Sequence, residues 1–456
     1  MIDARGVLAF LAAVEAERCL NPHSLLVKRH GETVLEAYWA PYTPDDRPLL
    51  YSVSKTFTAT AMGFALAEGR LALGDRVIDH LAGSVPTDVS ERAAEQTVHH
   101  VLSMSTGHDT DTLDSLTARG DADFAASYLA IAPQQPVGSR HVYNNGASWL
   151  AGELVRRVTG ESLLAYLRPR LFAPLGIAPT WDVDSSGREL GFSGVHATTR
   201  ELAALAESYR TGGAGVLPDG WAAQVGTRHV ATDAAESAEW RHGYGYQVWI
   251  SREGYRLDGA YGQYALVLDD LTITITSAQA AGSQPLLDLV WANLIPAVRS
   301  SRSDPEADAR LATRLASLEL RRPKDAGIAG PWVQHGPLAN WPALAVGAEQ
   351  INLPDVRDVT LVRDGAGWAL RFTTAGVTYD LNAPSGRWHR TTLAVDGVTV
   401  PLAMAVGTLS TGAARVHLCF TATCHVLRLE LGPRGGHDAW ETSPLSYASL
   451  RQFGSS

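Results

Sequence analysis

The chain has little lysine, little cysteine and no long uninterrupted hydrophobic run. Only three of its 456 residues are cysteine, and lysine occurs only as Lys28, Lys55 and Lys324. Three thiols cannot build the disulfide framework typical of a small secreted protein. Because no apolar run reaches about 18 residues, we expect no membrane-spanning helix.

Positive charge is also in short supply. Lys and Arg number 38 against 48 Asp and Glu, which gives a formal net charge of −10. An acidic chain repels phosphate groups, so nucleic acid and anionic membranes are not expected as partners. The opening stretch MIDARGVLAFLAAVEAERCL lacks the basic lead and clean apolar block of an export signal, and we therefore expect a cytoplasmic protein.

The order of patterns along the chain predicts a mixed α+β protein. Residues 24–39 favour a hairpin, helical patterns follow, and strand-like runs return after residue 244. The length is too great for one ordinary core. We expect a domain over residues 1–300 with a helical insertion at about 80–190, a polar linker over 301–327, and an all-β domain over 328–456.

One lysine stands at a position where its chemistry would matter. In YSVSKTFTATAMGFALAEG, Ser52 precedes Lys55 by three residues at the start of a predicted helix, so both side chains share one face. Burial would lower the pKa of Lys55, and a neutral amine could then take the proton of the serine hydroxyl. The motif alone leaves an accidental spacing open.

A second motif offers a phenol and an amide. In HVYNNGASWL, Tyr143 and Asn145 stand immediately before another predicted helix. Taken alone, Tyr-Asn-Asn-Gly is more typical of an ordinary turn.

Taken together, four stretches resemble the penicillin-binding-protein and class C β-lactamase superfamily of serine hydrolases over about residues 20–300. They are YSVSKTFTATAMGFALAEG, LSMSTGH, YNNGASWLAGELVRRVTG and LRPRLFAPLGI. The resemblance implies an antiparallel sheet flanked by helices, with a helical subdomain. It also implies that Ser52 is the nucleophile, that Lys55 and Tyr143 share proton transfer, and that Asn145 orients the lysine and the substrate.

The resemblance further implies an acyl-serine enzyme, because the superfamily includes esterases, D-amino-acid peptidases, amide-oligomer hydrolases and acyl transferases. We expect a hydrolase of small ester, amide or peptide-like substrates that needs no metal or organic cofactor. An acyl transferase is the alternative, and a non-catalytic ligand-binding homologue is a lesser one.

The third motif of the superfamily is altered in LDGAYGQYALVL, residues 257–268. The resemblance implies that Gly259 lets the strand approach the substrate and that the N–H groups of Ser52 and Ala260 form an oxyanion hole. Tyr261 and Gln263 are expected to line the cleft.

The altered motif also lacks the usual cation. No lysine or histidine stands there, only Asp258. A penicillin-type carboxylate would therefore find no cationic anchor, which argues against β-lactam hydrolysis.

The remaining candidates are weaker. His108 either lines the cleft or caps a loop, and Asp109 and Asp111 are expected as solvated or turn residues. The C-terminal domain resembles the lipocalin-like appendages of some superfamily members. It is expected to cap the cleft or to support a homodimer.

Overall fold

The computed structural model describes residues 2–119, 123–213, 215–235, 237–279, 284–340, 355–365, 367–433, 435–446 and 449–454. The chain forms two compact units. Unit I comprises Leu26–Leu35 and Leu50–Ile275, and unit II comprises Met1–Leu25, Glu36–Leu49 and Thr276–Ser456. Within the ranges described, no helix is both long enough and apolar enough to cross a membrane.

The strands and helices are numbered in chain order. The strands are β1 (Leu20–Arg29), β2 (Glu32–Tyr38), β3 (Thr180–Trp181), β4 (Val195–His196), β5 (Trp249–Ile250), β6 (Tyr255–Gly259), β7 (Gln263–Val267), β8 (Leu271–Gln279), β9 (Trp332–Pro337), β10 (Ala339–Asn340), β11 (Arg357–Asp364), β12 (Gly367–Thr374), β13 (Val377–Pro384), β14 (His389–Val395), β15 (Val398–Thr408), β16 (Ala414–Phe420), β17 (Val426–Gly432) and β18 (Gly435–Trp440). The helices are α1 (Ala4–Ala16), α2 (Ser54–Ala67), α3 (Glu91–Ala94), α4 (Val98–Leu102), α5 (Leu113–Arg119), α6 (Phe124–Leu129), α7 (Asn145–Thr159), α8 (Leu163–Leu167), α9 (Ala173–Leu175), α10 (Thr199–Arg210), α11 (Trp221–Val225), α12 (Gln284–Leu289), α13 (Ile295–Arg299) and α14 (Pro305–Leu315).

Unit I contains at least part of each strand of a six-stranded sheet with the order β2-β1-β8-β7-β6-β5. The pairs β5–β6, β6–β7 and β7–β8 are antiparallel. Helices α3 to α9 lie between residues 91 and 175, in the stretch predicted to be helical. The predicted domain limits at 300 and 328 stay a prediction, and helix α14 lies inside the predicted linker.

Helix α2 is buried on nearly all sides because its side chains are mostly small. Of its fourteen residues, eleven are buried, including Thr56, Ala59 and Ala61. It packs against α7, which ends at Gly160 in the left-handed conformation. Gly69 follows α2 in the same conformation, which is typical of the glycine that ends a helix.

The hairpin and the β-rich C-terminal region are also confirmed. Strands β1 and β2 are joined through His30 and Gly31, both with positive φ. In unit II, two sheets have the orders β10-β18-β17-β16-β15-β14 and β13-β12-β11-β9. Burial alternates along β12, where Trp368, Leu370 and Phe372 point into a shared core.

A close contact between α2 and Trp221 allows a test of the packing in unit I. A Cβ atom added at Gly63 would lie 2.5 Å from the indole of Trp221. We expect Gly63→Ala to lower the free energy of unfolding by about 1–3 kcal/mol, because a ring in a packed core cannot move away freely.

Denaturant unfolding of purified variants measures this change, with Gly74→Ala as the matched control. Gly74 has no atom within 4 Å of an added Cβ. Equal stability of the two variants would contradict the packing described for α2.

Candidate active site

Ser52 lies in a single 3-10 turn, Tyr51–Val53, directly before α2 rather than in the helix itself. Tyr51 has a φ of +49°, a backbone conformation that non-glycine residues rarely adopt. Backbone hydrogen bonds fix both sides of the turn, since Leu50 donates to Val195 at 2.8 Å and Val53 donates to Leu50 at 3.2 Å. The strained turn presents Ser52 at the start of a rigid helix.

Lys55 is buried, with only 1 % of its surface exposed, and its amine points at Ser52. Its Nζ lies 2.8 Å from Ser52 Oγ, 2.7 Å from Asn145 Oδ1 and 2.9 Å from the carbonyl oxygen of Phe192. Burial lowers the pKa of Lys55 to about 7, although the charge of Asp111 partly opposes this shift. A large share of the amine is therefore neutral near pH 7, and a neutral amine can accept a proton.

Tyr143 is the second group beside Ser52. Its ring centroid is 4.8 Å from Lys55 Nζ, and its hydroxyl is hydrogen-bonded to Ser52. Burial raises the pKa of Tyr143 above its usual range despite that hydrogen bond. Tyr143 thus remains a neutral phenol where Lys55 is already losing its proton.

Asn145 is held in place by a residue whose role sequence reasoning missed. Asp111 Oδ1 accepts a hydrogen bond from the Asn145 backbone N–H at 2.8 Å, and Oδ2 accepts one from Asn145 Nδ2 at 2.6 Å. Oδ1 also accepts from the Gly146 N–H at 3.4 Å, at the start of α7. Asp111 thereby turns the amide so that its oxygen faces Lys55. Its Oδ1 also accepts a hydrogen bond from the Leu113 N–H at 3.1 Å, so the expected turn role is present as well.

No local pattern in the sequence could have revealed the contact of Asp111 with Asn145, because the two residues are 34 positions apart. Asp109 agrees with the expectation of a solvated residue, because its side chain is 40 % exposed and pairs with Arg140.

The third motif lies at the end of β6, close to the nucleophile turn. A Cβ atom at Gly259 would be 2.3 Å from the Leu50 carbonyl oxygen and 3.3 Å from Val53 Cγ2, so only glycine fits here. Ala260 follows, partly exposed. Tyr261 has a φ of +64° and places its ring 5.1 Å from that of Tyr51. The hairpin tip is therefore packed directly against the segment that carries Ser52.

Two residues that were predicted to line the cleft, His108 and Gln263, are buried instead. His108 is buried, and its ring nitrogens bond Thr106 Oγ1 at 2.9 Å and the Ile131 carbonyl at 3.0 Å. The prediction that His108 lines the cleft is therefore wrong, because both nitrogens are used inside the helical part. Gln263 is also fully buried, and its amide donates to the Ala260 carbonyl at 3.3 Å, which braces the hairpin rather than lining a cleft.

Within the part of the chain that the structure describes, no group of three His, Cys, Asp or Glu side chains is arranged to hold a metal ion. The chemistry available at this site is that of a hydroxyl, an amine, a phenol and backbone N–H groups. These are the parts required for nucleophilic attack on a carbonyl group.

Comparison with known proteins places this arrangement in a family context. The family described as Beta-lactamase matches residues 23–320, well over half of the chain. The 6-aminohexanoate-dimer hydrolase of Paenarthrobacter ureafaciens is 30 % identical over 266 residues, covering 52 % of this chain and 65 % of that protein. Penicillin-binding protein 4 of Amycolatopsis lactamdurans is 29 % identical over 255 residues, which cover 46 % of this chain and 65 % of that protein. Both matches span slightly less than two thirds of the relative's own length.

Solved structures agree at the level of the fold. The octameric penicillin-binding protein homologue from Pyrococcus abyssi has a TM-score of 0.51 and 17 % identity, covering 92 % of this chain and 98 % of that one. Such a likeness shows a shared fold and nothing about activity. The β-lactamase/transpeptidase-like fold is thus confirmed, with mixed helices and sheets.

The Asp111 contact predicts a change in the titration of Lys55. Asp111→Asn removes a negative charge that raises the Lys55 pKa, so the Lys55 pKa should fall below its value in the unaltered protein. The Lys55 pKa is measured from the extent of its labelling by acetic anhydride at a series of pH values, followed by peptide mass spectrometry. Lys28 and Lys324 provide internal references.

Asp109→Asn is the matched control, because the exposed Asp109 pairs with Arg140 rather than with the site. An unchanged or higher Lys55 pKa in Asp111→Asn would contradict the electrostatic role assigned to this carboxylate.

Proposed function

The chain belongs to the Beta-lactamase family, and on that premise we propose that it is a serine hydrolase of small ester or amide bonds, acting through an acyl-Ser52 intermediate. The observation that carries the proposal is the 2.8 Å contact between Lys55 Nζ and Ser52 Oγ. A hydroxyl is a weak nucleophile, and this amine has both the position and the lowered pKa of a general base.

In the acylation step, neutral Lys55 takes the proton of Ser52 while Oγ attacks the carbonyl carbon of the substrate. The oxygen of the tetrahedral intermediate accepts hydrogen bonds from the N–H groups of Ser52 and Ala260. When the carbon–oxygen or carbon–nitrogen bond breaks, Tyr143 gives its proton to the leaving alcohol or amine. The Lys55 ammonium then returns that proton to the phenolate, so the site is restored with the acyl group on Ser52.

In the deacylation step, water attacks the acyl-serine ester. Lys55, neutral again, accepts one proton of the water and then gives it to Ser52 Oγ, which leaves as a hydroxyl. The net reaction is hydrolysis to an acid and an alcohol or amine. Asn145 supports both steps by holding the lysine in place, and Asp111 acts through Asn145 as a positioning residue.

The names of the relatives support an amide or ester as the bond to be cleaved. One relative is called a hydrolase of a 6-aminohexanoate dimer and the other a penicillin-binding protein. Transfer of the acyl group to an amine or alcohol instead of water is the alternative, because it uses the same intermediate. Added alcohol acceptors that leave the product mixture unchanged would count against it. A non-catalytic ligand-binding homologue is disfavoured, because a binder has no need for the contacts among Ser52, Lys55 and Tyr143.

The C-terminal sheets fit a lipocalin-like β domain, and we include this in the proposal. Strands β11 to β13 are neighbours in chain order, as are β14 to β18. Large aromatic side chains fill the interior, among them Trp368, Phe420 and Trp440. A filled interior favours a structural role for this domain. The cytoplasmic location and the homodimer stay predictions.

Replacing the general base should abolish turnover and its dependence on pH. We expect kcat/KM for p-nitrophenyl acetate to rise with pH through about 7, because Lys55 with its lowered pKa becomes a neutral base above that value. Lys55→Arg should lose at least about 100-fold in kcat/KM, since a guanidinium does not deprotonate near neutral pH.

Ser52→Ala should lose as much activity as Lys55→Arg. Lys28→Arg is the matched control, because the described hydrogen bond of Lys28 goes to the carbonyl oxygen of Gly31 in the β1–β2 hairpin. Substantial turnover by Lys55→Arg, or a rate independent of pH in the unaltered protein, would overturn the assignment of Lys55 as the base.

A further inference from the structure

Gln247 is a buried polar residue with no part in the mechanism above. It lies in the bend that precedes β5, and only 3 % of its surface is exposed. Its φ is +60°, in the left-handed region that non-glycine residues rarely adopt. Backbone strain of this kind is common beside active sites. Glycine would fit this backbone more easily, so a role for Gln247 is to be sought in its side chain.

The Gln247 amide nitrogen is bound to the C-terminal end of α4. Nε2 donates to the carbonyl oxygens of Val101 at 3.2 Å and Leu102 at 3.0 Å, and the Gln247 backbone N–H donates to Leu102 at 3.1 Å. The last carbonyl groups of a helix lack partners within the helix, and these donors bind two of them. Because a carbonyl oxygen can only accept, the amide nitrogen faces α4 and the amide oxygen faces away from it.

The amide oxygen binds α7. Ser148 Oγ donates to Gln247 Oε1 at 2.6 Å, and both groups are buried. Ser148 follows Asn145 by three residues in α7, so the two side chains lie on one face of the helix. Gln247 therefore fastens α7 to the end of α4 within one helical turn of Asn145, whose amide contacts Lys55.

The position of α7 decides whether the Asn145 amide reaches Lys55. Asp111 fixes how that amide is turned, and the amide oxygen lies 2.7 Å from Lys55 Nζ. A hydrogen bond of this length is lost when its two atoms move about 1 Å further apart. On the side of α2, Thr56 Oγ1 lies 3.5 Å from the Gln247 carbonyl oxygen, and Thr56 directly follows Lys55. Gln247 thus contacts both helices whose separation sets the distance from Asn145 to Lys55.

We propose that Gln247 is a positioning residue for the proposed reaction. By holding Ser148, it keeps α7 at the distance from α2 at which the Asn145 oxygen contacts Lys55 Nζ. Gln247 then affects the transfer of the Ser52 proton without touching the reacting atoms. This inference rests on the proposed function, because the effect is exerted on the base that the proposal assigns.

Replacing the amide by an apolar group of similar length tests this role. Gln247→Met should lower kcat/KM for p-nitrophenyl acetate by about 10- to 100-fold, the loss expected when a catalytic group is displaced by about 1 Å. Ser148→Ala removes the bond to α7 and leaves Gln247 in place, so it decides the matter even if Gln247→Met does not fold. Ser148→Ala should lower kcat/KM by at least about 3-fold, as expected for one lost hydrogen bond.

Gln96 provides the matched control. It is another buried glutamine of unit I, and its amide donates to the Thr106 carbonyl at 3.0 Å and accepts from the Tyr128 hydroxyl at 3.1 Å. Gln96→Met removes these buried hydrogen bonds, which join neither α2 nor α7, and it should retain the kcat/KM of the unaltered protein. Unchanged kcat/KM in Gln247→Met or in Ser148→Ala, or an equal loss in Gln96→Met, would overturn the positioning role.

A double-mutant cycle with Asn145→Ala separates positioning from a general effect on the fold. If Gln247 acts through Asn145, Gln247→Met has little left to disturb once the Asn145 amide is absent. It should then cost less than about 3-fold in kcat/KM. A merely structural residue would cost the same factor with and without the Asn145 amide, and that result would refute the proposal.

Ser52→Ala and Lys55→Arg keep a failure of this inference distinct from a failure of the proposed function. Full turnover in either variant means that the proposed function is wrong, and the role assigned to Gln247 falls with it. Loss of turnover in both variants, together with full turnover in Gln247→Met, leaves the proposed function standing and removes only the positioning role.

Discussion

The burial of one amine is the constraint on which the rest of the site depends. An ammonium removed from water is costly, so Lys55 keeps its place either by forming several hydrogen bonds or by releasing its proton. The structure provides for both, because three oxygen acceptors surround Nζ and its pKa falls to about 7. A lysine that could not lose its proton would be stable here only as a cation, and it could not activate Ser52.

The neighbouring elements follow from this constraint. Small side chains let α2 lie deep in unit I, so its first turn is anchored where water has limited access. Gly259 allows the β6 end to touch the Ser52 turn. Asp111 holds the Asn145 amide with its oxygen toward the amine, and because it is a charged group it also keeps the Lys55 pKa from falling further. Each of these residues controls either the position of the base or the cost of its charge.

Local patterns predicted much of this fold, whereas contacts between distant segments escaped them. The hairpin, the helix after Ser52 and the C-terminal strands each depend on residues within about fifteen positions. Spacing and resemblance brought Ser52, Lys55, Tyr143 and Asn145 together, and the structure shows them in contact. His108 was misplaced and Asp111 undervalued for the same reason: the partners of both, Ile131 and Asn145, come from segments more than twenty residues away. Periodicity carries no information about such pairs.

The most direct test of this account is the intact mass of the protein after brief exposure to an activated ester such as p-nitrophenyl acetate. The account predicts a mass increase of one acetyl group in the unaltered protein, located on the peptide that contains Ser52 and absent from Ser52→Ala. An acetyl group on another residue, or an equal increase in the variant, would contradict the claim that Lys55 activates Ser52 as a nucleophile.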